Sequence, residues 1–208
     1  MIEVSRVLEL LLKGTHICQW AHPKAHKTIT DEQQKIKMAL SFHDLRLYQT
    51  ERSGTYYVVY KNINSATGAS IRKQQTEIHT ALRPIVALIA LISETTHSDS
   101  VITAGSEFSA TRFSDHVTNS ASATEKLNTI CKHPSVKRKK NLSTISDKSR
   151  LVIDFMVRHG LIVLAHTERE IYQVTGRIDY IYATLNFLDE RIDIVSQADS
   201  EQQQQGLF

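Results

Sequence analysis

The sequence predicts a mainly α fold of the α+β type, in which two helical units each carry a small β wing and a long helix joins them. Three observations predict it. Apolar residues recur at three- and four-residue spacing over most of the chain. Two short runs of aromatic and β-branched residues interrupt that rhythm as strand–turn–strand patterns. The 208 residues include only 7 Gly and 3 Pro, too few for a turn-rich all-β protein.

The elements follow in order. Val4, Val7, Leu8, Leu11 and Leu12 give Ile2 to Lys13 one apolar face, and Gly14 supplies a stop signal. Asp31 and Glu32 open a second helix running to Leu40, with Ile36, Ala39 and Leu40 on one side. Leu45, Leu47 and the run from Tyr56 to Tyr60 flank Arg52-Ser53-Gly54-Thr55, a hairpin pattern. From Asn64 to about Glu94, Ile71, Ile78, Ile85 and Ile92 recur every seventh residue, with Leu82, Leu88 and Ile89 beside them. That seam suits a long helix packed on a neighbouring element, or a seam between two copies of the chain. Pro84 lies inside it and predicts a kink or break at Arg83-Pro84.

The Ser/Thr/Ala-rich stretch from His97 to Thr124 reads as a join holding a short helix near Glu107 to Val117. A helix from Thr124 to Lys132 ends at His133-Pro134, and the basic run Lys137-Arg138-Lys139-Lys140 follows. Ser146-Asp147 is expected to cap a helix from Lys148 to His159, with Leu151, Val152, Phe155 and Met156 inward. Leu161 to Ala165 and Ile171 to Val174 form the second strand pair. In the helix after Gly176, Ile178, Ile181, Leu185, Leu188, Ile192 and Val195 make one stripe. Tyr180, Phe187 and Ile194 make a second, so this helix is expected to be buried on two sides. Helices followed by a two-stranded wing are the outline of a winged helix, here written twice. The expected division is residues 1–96 for the first winged-helix unit with its long connecting helix, 97–195 for the second, and 196–208 for a Gln-rich disordered tail.

Composition narrows the function. With 41% hydrophobic and 23% charged residues the chain reads as an ordinary globular protein. No uninterrupted apolar run reaches the ~18 residues of a membrane span, and no secretory signal is recognisable at the start. Two cysteines, Cys18 and Cys131, do not make a disulfide framework, so a reducing, cytoplasmic setting is expected. Charge is segregated. Between Lys126 and Arg158 nine basic residues face two acidic ones, a net +7; between Glu168 and Glu201 eight acidic residues face three basic ones, a net −5. Segregation of this kind suits two different partners, one of them polyanionic, although a solvated surface produces it too.

Enzymatic signatures are missing. There is no Walker A run, dinucleotide-binding Gly-rich loop, G-x-S-x-G elbow or H-E-x-x-H. Cys18, His22 and His26 are spaced by four as zinc ligands on a helix would be, but Pro23 interrupts them and no fourth ligand accompanies them, so neither metal nor cofactor is expected. Lys137, Arg138, Lys139, Lys140, Lys148, Arg150 and Arg158 are the candidate DNA contacts, lying on and just before the helix that precedes the second wing. Lys and Arg at those positions would neutralise phosphates with little base preference. A purely protein-binding scaffold is the competing reading. Tyr180, Phe187, Ile194, Ile71 and Ile78 are the candidate partner-binding residues.

Three stretches carry a family resemblance: Leu11 to Cys18, Ala81 to Val86 and, most distinctively, Ile171-Tyr172-Gln173-Val174-Thr175-Gly176-Arg177-Ile178-Asp179-Tyr180-Ile181-Tyr182. In these and in element order from Leu8 to about Glu190 the chain resembles the MksE family, the small accessory subunits of MukBEF-like bacterial condensins. The resemblance implies tandem winged-helix domains that bind a kleisin (MksF-like) and, through it, an SMC ATPase (MksB-like). It also implies a homodimer and no catalysis by this chain, which would serve chromosome segregation or plasmid defence at the nucleoid. The alternative is a stand-alone winged-helix transcriptional regulator reading an operator with the helix from Lys148 to His159.

Overall fold

A computed structural model describes residues 3–95, 101–136 and 142–190. It is mostly helical with two small antiparallel sheets, as the α+β reading requires. Lys137 to Lys140, Ile194 and the tail from 196 lie outside the described residues.

The first lobe contains α1 (Val4–Leu12), α2 (Pro23–Asp31), α3 (Gln33–Ser41), β1 (Leu45–Gln49) and β2 (Tyr56–Tyr60). Val7, Leu11, Ile17, Ile29, Ile36 and Leu40 close its core with essentially no exposed surface. α2 is an element the sequence reading missed. Pro23 read as an interruption, but it stands in the first turn, where its missing N–H has no partner to lose. The hairpin has the expected turn, with Leu45 opposite Tyr60 and Gln49 opposite Tyr56. A lone bridge between Ile17 and Tyr56 adds a third, minimal strand on the far side of β2.

α4 (Ser65–Thr95) is a single helix of 31 residues, about 46 Å long. Asn64 starts it: its Oδ1 accepts from the Thr67 N–H at 2.9 Å while the Asn64 N–H donates to Thr67 Oγ1 at 3.0 Å. The break expected at Pro84 is absent, and the helix runs uninterrupted through it. Pro84 is buried, and its neighbours Leu82, Ile85 and Leu88 belong to the second core. Packing on both sides of the proline holds the helical path despite the lost hydrogen bond. By length and composition alone Thr67–Thr95 is apolar enough to cross a bilayer. In the fold, its residues from Ala81 to Ile92 supply the second core.

The second lobe adds β3 (Glu107–Ser109), α5 (Ala110–Asn119), α6 (Ala121–Lys132), α7 (Ile145–Arg158), β4 (Ile162–His166), β5 (Ile171–Val174) and, over the described residues 177–190, a helix α8. The strand order is β3-β5-β4. β3 replaces the first turn of the helix expected from Glu107, because Ser109 caps α5 instead, accepting from the Arg112 N–H. The cap of α7 also differs from expectation. Thr144, not Ser146-Asp147, is the capping residue, and Asp147 answers it from the first turn. Both lobes thus follow one plan: a helix, a minimal strand, further helices, then a hairpin whose second strand lies in the middle of the sheet.

Candidate protein-binding groove

The two lobes meet where the start of α8 reaches the first hairpin. Thr175 fixes this start. Buried, its hydroxyl donates to the Gly160 carbonyl at 2.6 Å and accepts from the Arg177 N–H at 3.2 Å, while its own N–H donates to the Leu161 carbonyl at 2.9 Å. Tyr180, one turn on, points its ring across the lobe boundary. Its centroid is 5.1 Å from His16 and 5.5 Å from Tyr57, and His16 stacks on Tyr57 at 5.0 Å.

Arg177 lies beside this aromatic trio. Its guanidinium covers Gly160 and is mostly buried; burial lowers its pKa, and its Nε has no hydrogen-bond partner among the described residues. None of the salt bridges between described residues includes it. Two histidines feel its charge. Burial, then the Arg177 charge, pushes His16 down to about 3. His159, packed on the Phe155 ring at 4.4 Å, is lowered by burial first and then by Arg177 and Arg158. Burial, helped by Tyr48 and Tyr180, pushes the Tyr57 phenol up to about 12, so it stays a neutral hydroxyl. At neutral pH the site therefore offers a desolvated cation among neutral polar rings.

These groups floor a groove of about 530 Å³ between α1, β2, α4 and α8. Its walls mix aliphatic side chains, among them Leu12, Val58, Ile63, Ile71 and Ile78, with polar and charged ones such as Lys13, Gln75 and Glu77. The groove brings together three of the five residues singled out as partner contacts: Ile71, Ile78 and Tyr180. Tyr180 is at the same time half-covered by the chain's own first lobe. Phe187 lies two turns further along α8 with about half its surface exposed (54%), away from the groove lining.

Of the basic candidates within the described residues, Lys148 donates to Asn128 Oδ1 at 2.8 Å and is half-buried. Arg150 and Arg158 are exposed, Arg158 donating to the Asp154 carbonyl. They stand on a helix that buries Leu151, Val152, Ile153, Phe155 and Met156. No cluster of three or more metal-binding side chains occurs among the described residues. Cys18 and Cys131 are free thiols, and burial pushes Cys131 up to about 11. His26 Nε2 lies 3.0 Å from the Gly54 carbonyl.

Sequence reasoning missed Arg177, His16 and His159. One signal was available: Arg177 and Tyr180 both lie in the distinctive stretch from Ile171 to Tyr182. Periodicity assigns such residues to a helix face but cannot show that the face meets another lobe.

The structure thus holds two lobes of one helix-and-hairpin plan that meet at a groove of mixed polar and apolar lining. Residues 3–185 match the family described as condensin complex protein MksE. The chain belongs to the MksE family of condensin accessory subunits, which are generally non-catalytic. No curated protein matches the chain.

Proposed function

We propose that this chain is a non-catalytic, tandem winged-helix subunit of an SMC-type bacterial condensin. It binds the kleisin and through it the SMC ATPase, contacts DNA without strong sequence preference, and works as a cytoplasmic, nucleoid-associated homodimer in chromosome segregation or plasmid defence. The observation that carries this reading is the match of residues 3–185 to the condensin family. The strand order supports the winged-helix assignment: in each lobe the second hairpin strand lies between its partner and a minimal first strand. Ile71, Ile78 and Tyr180 on one groove support a protein partner.

The test is co-expression with the kleisin and SMC subunits of the same condensin. Stable co-purification of the kleisin, with the SMC subunit recruited only in its presence, is expected; failure to bind the kleisin at micromolar concentration sinks the reading. For DNA, affinity is expected to be similar across duplex sequences and to fall steeply with salt. Charge reversal at Lys137, Arg138, Lys139 and Lys140 should weaken DNA binding and spare the kleisin. A steep preference for one duplex would instead identify a transcriptional regulator.

A further inference from the structure

The groove has a second recognition feature besides its side chains. Thr50 donates to the Thr55 carbonyl at 2.9 Å and Lys61 to the Asp44 carbonyl at 2.8 Å, at either end of the β1–β2 ladder. Hydrogen-bonded positions alternate along an antiparallel pair, so Tyr57 and Val59 turn their backbone groups toward β1. Tyr56, Val58 and Tyr60 turn theirs to the other edge. Tyr56 spends both of its groups on Ile17, at 2.8 and 2.9 Å. Beyond it no described strand continues along Val58 and Tyr60, and both residues line the groove. An open strand edge is a template for an extended chain.

The charge at the same place selects what that chain carries. Arg177 has no carboxylate partner among the described residues and Glu77 is the one acidic residue in the lining, whereas Lys13, also in the lining, is paired with Glu9. A guanidinium partly withdrawn from water and without a counter-ion is well matched by a carboxylate brought against it. We propose that the groove takes an extended acidic segment of a partner protein as an added strand on the open edge of β2, with one of its carboxylates paired to Arg177. This deepens the reading of the chain as a partner-binding subunit and rests on it. The open edge favours such a peptide over a DNA phosphate, because a phosphate brings no N–H to pair with the carbonyls of Val58 and Tyr60 and would meet Glu77 in the lining.

The probe is a fluorescein-labelled peptide of alternating Val and Glu, its Gln-for-Glu copy, and two further copies N-methylated at every Val or at every Glu. The Glu peptide is expected to bind at least about tenfold tighter than the Gln copy, and Arg177→Gln should erase that preference. One of the two N-methylated copies should lose binding, because it cannot donate to the edge. Val58→Pro removes an N–H facing the open edge and leaves the ladder to β1 intact; it should weaken binding with an unchanged circular dichroism spectrum. If that variant unfolds, the N-methylated peptides decide the matter with the protein unaltered. No binding at about 1 mM, equal binding of the Glu and Gln peptides, or full affinity for both N-methylated copies overturns the proposal. So does displacement of the Glu peptide by duplex DNA from the parent chain but not from Arg177→Gln. Kleisin capture that is indifferent to both Val58→Pro and Arg177→Gln would sink this proposal and leave the subunit assignment standing, whereas peptide binding without kleisin capture would do the reverse.

Discussion

Gly176 faces Thr55 across the lobe boundary so closely that a Cβ at Gly176 would overlap the Thr55 hydroxyl oxygen. Thr55 is fully buried and its hydroxyl is engaged with Ser53 Oγ at 2.7 Å, so it has nowhere to go. The Gly176 backbone is not in the left-handed region, so any cost of substitution comes from this contact rather than from φ. Gly176→Ala is expected to destabilise by about 1–3 kcal/mol through overpacking. Thr55→Ala in the same chain should recover part of the loss, giving a non-zero coupling in a double-mutant cycle read by urea unfolding. Additive costs would mean the lobes do not pack as described.

That contact also marks where sequence reading stops. Both hairpins, the seam of α4 and the stripe through Ile178 and Ile181 were legible, because each is a local period fixed by burial on one side. Thr144 as a cap and Pro23 as a helix start were misread, since each depends on which of several adjacent polar or breaker residues the chain uses. The groove itself was not legible. Ile71 and Ile78 were singled out from the seven-residue seam and Tyr180 from the second stripe of the last helix pattern, each on its own element. That His16, Tyr57 and Arg177 join them depends on the packing of two lobes whose contacting residues lie more than a hundred positions apart.

Trp20 is the only tryptophan, and its indole lies against Gly105, in the segment leading to β3 of the other lobe. A Cβ on Gly105 would come within 3.0 Å of the ring, and Gly105 has φ +89°. Gly105→Ala is therefore expected to cost about 1–3 kcal/mol from the left-handed backbone and the ring contact together. Its signature is specific: Trp20 emission should shift toward that of an exposed indole before the circular dichroism signal is lost. An unchanged emission maximum with a lowered Tm would place the damage elsewhere.

Thr144 and Asp147 close the first turn of α7 reciprocally. The Thr144 hydroxyl accepts from the Asp147 N–H at 3.1 Å and donates to Asp147 Oδ2 at 2.7 Å. Thr144→Ala removes both bonds on an exposed site, so the loss should be close to that of a cap alone, about 1 kcal/mol. Thr144→Ser should restore nearly all of it. Kleisin and DNA binding should be unaffected, which separates this structural role from a functional one.

His16 predicts how stability depends on pH. Its folded pKa, pushed down to about 3, lies below the unfolded value of 6.5. Above pH 6.5 the ring is neutral in both states and its full packing on Tyr57 is retained. Between pH 6.5 and about 3 the unfolded chain takes up a proton that the folded chain refuses, so stability falls, by at most about 1.4 kcal/mol per pH unit. His22 and His159, lowered in the same direction by burial, steepen the fall. Urea unfolding at pH 7 and pH 5 should show this loss. His16→Phe keeps a ring against Tyr57 and Tyr180 but carries no titrating nitrogen, so its unfolding free energy should fall less over the same interval. A slope identical to that of the parent chain would mean His16 is hydrated and charged at pH 5, and that the aromatic contact between the lobes is open in solution.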